Sequence, residues 1–346
     1  MGIVDSIPTR LLLQPLRLAT AESQKRLAQA QAESASGRHE DVGLALGALT
    51  GAAISLRVQL AGLDQSAASL GLASARGESV QASLSSLNKL TEQFRSTLTG
   101  ARNSENGRAL SAALARTSLD SMRDTLSVTQ NGQYLFSGLA SNTPPLADYD
   151  AGPRQAIASA FQAQFGFAPD DPAAASLSAT DIGGFLDGAF AALFTSPGWT
   201  STWSAAADET PKLRLPSGGA VDVSSSANAP FAPLMAQAFS MMEVLGRGKL
   251  NATAFIAATD RALVLISQAQ ARLGEEQSRI GIGQSGVKAA QAEIDGKKPR
   301  LTAAVNALEG VDPYEAATRV NVLMTQLESS YALTGRISRM SLLSYI

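Results

Sequence analysis

The chain has no cysteine and a single histidine, His39, among 346 residues. Disulfide frameworks, thiolate zinc sites, cysteine nucleophiles and multi-histidine metal centres are therefore excluded. Charge is sparse too: 28 basic and 30 acidic residues leave a net charge of −2. With no basic excess to neutralise phosphates, no nucleic-acid partner is expected. No unbroken apolar run approaches the ~18–20 residues of a membrane span, so no membrane contact is expected. The first 18 residues contain Asp5, Pro8 and Pro15 and lack a basic segment followed by an apolar one. No cleaved export signal is read there. The lack of cysteine leaves the compartment open, because nothing in the chain depends on redox state.

Aromatic residues are few and clustered. Fourteen of the 18 lie between Tyr134 and Phe255. Such side chains carry much of the area that closes a core, so the middle reads as globular and the two ends as something else. Both ends repeat every seven residues. Leu49, Leu56, Leu63, Leu70, Leu84 and Leu98 share one heptad position, and Ile266, Leu273, Ile280, Val287, Ile294, Leu301 and Leu308 share another. The companion column of the second repeat is Leu263, Gln270, Gln277, Gln284 and Gln291. A seven-residue repeat keeps one seam of a helix facing a partner, and polar seam positions fix register. Against plain helix amphipathicity, this pattern favours the two ends packing as antiparallel neighbours in one bundle.

Breaks in the pattern mark the helix ends. Gly100 to Gly107 reads as a turn. Gly296 and Pro299 are expected to weaken or kink the late helix, since proline lacks the N–H and clashes with the preceding turn. Gly310 can end that helix. Asp312, Pro313 and Glu315 then form a capping-box start for a last helix running to about Leu343. The stripes Leu16, Thr20, Ser23, Leu27, Ala30, Ser34 and Ala316, Val320, Leu323, Leu327, Ser330, Thr334, Ile337, Ser341 are small and half polar. They bury too little to offset their own ordering entropy. Both terminal helices are expected to be loose in the free monomer and to order on other molecules. In the middle, short helices are expected at 154–165, 185–194 and 232–245. Lys212–Leu215 and Ala220–Val223 read as a β-hairpin.

Candidate chemistry is thin. Gly281 to Gly286 matches G-x-G-x-x-G, but no strand precedes it and Asp295 follows too soon for a dinucleotide site. Small residues that let helices approach closely are the better reading. Ser86-Leu87-Asn88-Lys89 lacks the companion motifs of penicillin-recognising enzymes. Asn251-Ala252-Thr253 has only the three-residue glycosylation form. His39, beside Glu40 and Asp41, reads as part of a charged loop rather than a catalytic base. Asp170-Asp171-Pro172 reads as a turn rather than a metal loop. Trp199 and Trp203 could stack a sugar but are better placed as core anchors. No acid–base constellation, metal site or cofactor site is expected, and no enzyme activity.

Asn131-Gly132-Gln133-Tyr134-Leu135-Phe136-Ser137-Gly138, followed by Thr143-Pro144-Pro145-Leu146, resembles the signature of the flagellar hook–filament junction proteins (the third hook-associated proteins, FlgL family). Ala35-Ser36-Gly37-Arg38 is similar to the end of that family's first helix. Gly310 to Ala317, Gln326 to Tyr331 and Ser341 to Tyr345 resemble the ending it shares with the flagellins. The chain departs at His39 to Leu44, where many members carry a loop ending in Asp-Asp-Pro.

The resemblance implies a mainly α fold: a long flagellin-like antiparallel helical bundle formed by both termini, with an inserted small α+β outer domain. The expected division is terminal helices at 1–40 and 311–346, a bundle at 41–140 and 247–310, and an inserted domain at 141–246. It further implies an extracellular flagellar protein, exported through the type III channel. Its expected partners are copies of itself in a ring, the first hook-associated protein, flagellin and an export chaperone. The assembly residues expected from the terminal seams are Leu16, Leu27, Val320, Leu323, Leu327, Tyr331, Ile337 and Leu342. Competing readings are a minor flagellin building filament, and a secreted adhesin or enzyme acting through the inserted domain.

Overall fold

The heptad seams appear as four long helices in the computed structural model, which describes residues 9–102, 104, 106–216 and 218–343, without the side chains at 9–13, 16 and 337–343. The helices are, in chain order, α1 (Thr9–Ser36), α2 (Val42–Leu46), α3 (Thr50–Ala101), α4 (Gly107–Leu126), α5 (Pro153–Phe165), α6 (Ala179–Phe185), α7 (Gly198–Thr202), α8 (Phe231–Arg247), α9 (Ala252–Glu309) and α10 (Pro313–Leu343). A π-helical turn, Leu186–Phe190, continues α6. Two two-stranded antiparallel hairpins complete it, β1 (Thr129–Gln130) with β2 (Gln133–Tyr134), and β3 (Leu213–Arg214) with β4 (Ala220–Val221). The architecture is mainly α, with a small α+β insertion.

Two compact units result. One comprises residues 1–65 with 294–346, the other residues 66–293. The three-part division expected from the sequence is a different partition, and it remains a proposal.

In the second unit, α3 and α9 run antiparallel. Arg102 Nε meets Asp260 Oδ1 at 2.7 Å, Gln270 Nε2 donates to Glu92 Oε2 at 3.0 Å, and Gln81 Nε2 donates to the Gln277 carbonyl at 2.8 Å. The glutamine column flanks the seam, and its polar bonds link α9 to α3. Val80, Leu84, Leu87, Phe94 and Leu98 of α3 pack with Ile266, Leu273 and Ile280 of α9 in one buried core, joined by Leu119 and Met122 of α4 and by Phe239 of α8. Phe94 and Phe239 meet edge to face at 4.7 Å. Each such buried side chain contributes about 1.5–3 kcal/mol.

The aromatic middle joins the same core. Phe161, Phe185, Phe190, Phe194 and Trp203 form a chain of ring contacts between 5.0 and 5.7 Å. Buried Glu243 of α8 accepts from the Tyr149 hydroxyl at 3.0 Å and pairs with Arg247 Nε at 2.8 Å. Burial, then the Glu243 charge, pushes the Tyr149 hydroxyl well above the usual phenol range. The motif after Gly132 is structural. Asn131 and Gly132 both take positive φ (52° and 77°), as a tight hairpin turn requires. Leu135 and Phe136 then enter the core, and Ser137 Oγ donates to the Thr143 carbonyl at 2.6 Å.

Four expectations are corrected. Helix α9 runs through Gly296 and Pro299 without a break; one proline removes a single N–H, and the surrounding turns keep theirs. Glu315 does not complete a capping box. Asp312 Oδ1 accepts from Tyr314 N at 2.8 Å, while Glu315 turns to Arg319 at 2.8 Å. The first leucine column is not buried throughout: Leu49 is exposed, and burial is complete at Leu70, Leu84 and Leu98. Finally, the segment Val42–Ala101 contains an 18-residue stretch apolar enough, by length and composition only, to cross a membrane, and 6 % of that stretch is buried. Isolated polar residues such as Ser55 and Arg57 break its runs without lowering its average hydropathy enough.

Candidate assembly interface

Unit 1 pairs the two terminal helices. The α1 stripe places Leu27 half buried and Ala30 fully buried, and α10 answers with buried Ala316 and half-buried Val320, Leu323, Leu327, Ser330 and Thr334. Polar bonds set the register. Arg319 Nη1 reaches Glu33 Oε2 at 3.1 Å and its Nη2 reaches Glu315 Oε1 at 2.8 Å. His39 Nδ1 lies 3.4 Å from Glu33 Oε1. Gln24 Nε2 donates to the Tyr331 hydroxyl.

Of the eight residues expected from the sequence, Leu27, Val320, Leu323 and Leu327 lie on this seam, facing the partner helix, and Tyr331 is exposed at its edge. The side chains of Leu16, Ile337 and Leu342 fall outside the described residues. The reading missed the opposite face of α10. Tyr314 (87 % exposed), Val322 and Leu333 project away from the seam, as do Leu18 of α1 and Leu44 of α2, while Met324 is exposed along the seam's edge. Tyr314, Thr318 and Val322, four apart along the helix, line a shallow groove of about 490 Å³ together with Leu323.

The loop after α1 becomes a short capped helix. Asp41 Oδ1 accepts from Leu44 N at 2.9 Å at the start of α2. A second groove of about 490 Å³ opens beside it, with Ala30, Leu44, Ala45 and Leu323 as its apolar lining and Arg26, Glu33, His39 and Arg319 as polar lining.

The candidate chemistry resolves into structural roles. G-x-G-x-x-G sits within α9 and serves strand packing rather than helix–helix approach: a Cβ at Gly283 would stand 2.2 Å from the Asp222 carbonyl, just beyond β4. Ser86 is exposed and donates to its own helix at Ala82. The Asn251 amide is engaged, donating to the Ala175 and Leu177 carbonyls at 3.1 and 2.6 Å while its oxygen caps α9. Asp171 caps the turn at Pro172–Ser176. Trp199 and Trp203 stack at 5.7 Å, each only 3 % exposed, and Trp199 Nε1 donates to Asn228. A sugar could not reach either face.

A cleft of about 800 Å³ lies in the second unit between Asp208, Thr210, Lys212, Asp222, Glu276 and Arg279. Its charges compensate one another: Arg279 pairs with Asp222 at 3.0 Å and with Glu276 at 2.7 Å. Among the described residues, no group of three or more acidic or histidine side chains could hold a metal.

Residues 7–141 match the bacterial flagellin N-terminal helical region, and residues 263–346 match the bacterial flagellin C-terminal helical region. A solved structure provisionally assigned as a flagellar hook-associated protein from Vibrio parahaemolyticus shares the fold with a TM-score of 0.54 at 11 % identity. The similarity covers 75 % of this chain and 97 % of that one. No curated protein matches.

Proposed function

This is a flagellin-like structural protein of the flagellum, and from that premise we propose that it forms the junction ring between hook and filament. The observation that carries the reading is the outward apolar face of α10: Tyr314, Val322 and Leu333 stand exposed on a helix whose other face is already paired with α1. Exposed apolar residues gathered on one helix face mark contact with other molecules. A heterologous contact repeated by a rotation that closes on itself builds such a ring. The Tyr134-Leu135-Phe136-Ser137-Gly138 stretch favours a junction protein over a filament flagellin, and the name given to the Vibrio structure agrees.

In this reading the terminal helices, 1–40 and 311–346, order on neighbouring subunits. Leu16, Leu27, Val320, Leu323, Leu327, Tyr331, Ile337 and Leu342 form the assembly seams. The partners are copies of the chain, the first hook-associated protein on one side and flagellin on the other, with an export chaperone beforehand. The protein is exported and works outside the cell, as part of the flagellum.

Aspartate at both Leu323 and Leu327 tests this. The variant should be exported with its second unit folded and should fail to support a filament on the hook. A normal filament from that variant would overturn the reading. The filament-flagellin alternative draws support from the two flagellin regions themselves; self-polymerisation of the purified chain into long tubes would favour it.

A further inference from the structure

The connection leaving α1 and the connection entering α10 are hydrogen-bonded to each other. His39 N donates to the Glu309 carbonyl at 2.9 Å and Val311 N donates to the Gly37 carbonyl at 3.1 Å, with Arg38 opposite Gly310 in antiparallel register. Gly310 N also donates to the Asn306 carbonyl at 2.8 Å, and a Cβ at position 310 would stand 2.5 Å from that oxygen. The backbone passes too close to the end of α9 for any side chain.

Side chains fasten this bridge to the long helices, in addition to the contact of His39 with Glu33 of α1. Glu309 is wholly buried at the end of α9, and its Oε2 meets Arg57 of α3. Arg38 Nη1 lies 3.9 Å from the same oxygen, and Arg38 Nη2 donates to Asn306 Oδ1 at 3.3 Å. A buried carboxylate requires such partners, because an unpaired charge out of water is strongly disfavoured. The backbone bonds and the contacts of Glu309, Arg57, Arg38 and Asn306 therefore hold the bridge without the α1–α10 seam, and only His39 reaches a seam residue, Glu33.

We infer that the bridge between Gly37–His39 and Glu309–Val311 is a clasp, holding the end of α1 beside the start of α10 whether or not the two helices are paired along their length. Arg38 and Asn306 are 268 positions apart in sequence. Closing so long a loop costs entropy that grows with its length, and a clasp meets that cost before the helices pair. Pairing α1 with α10 then becomes zippering from one fixed end, at high effective concentration. The clasp itself does not depend on the junction role. Only its consequence for assembly rests on that reading.

The test uses the full free chain. Amide exchange is followed at His39 and Val311, and the distance between spin labels is measured in an Ala35→Cys, Thr318→Cys chain, which carries no other cysteine. The clasp predicts that both amides exchange at least ~10-fold more slowly than amides within α1 and α10, and that the label distance is short and narrowly distributed. Glu309→Gln should abolish the protection and broaden the distribution. Gly310→Ala should do the same with every charge in place, and it carries the test if Glu309→Gln also costs α8 its protection. Fast exchange at both amides in the parent chain, or protection and distance unchanged in both variants, would overturn the clasp. Failed assembly with an intact clasp counts against the junction reading instead.

Discussion

Arg319 of α10 holds Glu33 of α1 at 3.1 Å, one helix turn from its own Glu315 at 2.8 Å, so a single guanidinium ties the two terminal helices together. Arg319 is nearly half exposed and Glu33 largely buried, which places the pair at the upper end of what partly solvated ion pairs contribute. Arg319→Ala should weaken assembly about two- to five-fold, the equivalent of ~0.5–1 kcal/mol. Exchanging the charges, with Glu33→Arg and Arg319→Glu, should restore most of it. The measurement is the critical concentration for assembly at low and high salt; indifference to both changes would show that the pair sets no register.

The core of the second unit depends on Phe239, fully buried against Phe94. Phe239→Ala should cost about 3–5 kcal/mol in denaturant unfolding, from lost transfer energy and the cavity left behind. A loss under 1 kcal/mol would mean that the site collapses freely.

Two glycines of α9 should respond in opposite directions. Gly283 has the Asp222 carbonyl where a Cβ would go, whereas Gly274 faces open space. Gly283→Ala should destabilise by roughly 1–3 kcal/mol and displace β4. Gly274→Ala should stabilise by up to about 1 kcal/mol through helix propensity. Thermal unfolding of the pair distinguishes a packing glycine from an incidental one.

Acid should loosen the second unit through its aspartates. The Arg116 guanidinium holds Asp150 below the usual carboxylate value of 3.8, and Arg102 and Arg261 do the same for Asp260 and Asp187. A depressed folded-state value means stability that is complete above pH 3.8 and is lost as pH falls through the lowered values. These groups are largely exposed, so each contributes little. Unfolding midpoints should fall together below about pH 4, and Arg102→Gln should flatten part of that slope. A midpoint unchanged between pH 5 and pH 3 would contradict this.

Periodicity made the long helices legible. The column from Ile266 to Ile294 is buried throughout, and Gly310, Asp312 and Pro313 mark the break between α9 and α10. The short helices at 153–165 and 231–247 and the hairpin around residues 216–219 were readable from turn residues and alternation. Long-range geometry was not. Nothing local marks Gly283 as the seat of a strand 60 residues earlier in the chain. Nothing local distinguishes Glu309 from a solvated charge at a helix end, because its burial is created by chain brought back from residues 38 and 57. At the interface, the small terminal stripes pointed to the seam between α1 and α10. The outward face with Tyr314 and Val322 follows a second periodicity on the same helix, and only the pairing with α1 shows which face is left over.

Residue-resolved hydrogen exchange on the dilute free chain tests the central claim most directly. The account predicts rapid exchange through α1, before about Glu40, and through α10, after about Val311, except at the clasp amides of His39 and Val311, with strong protection across the second unit. Slow exchange along the full length of both terminal helices in the isolated molecule would contradict it.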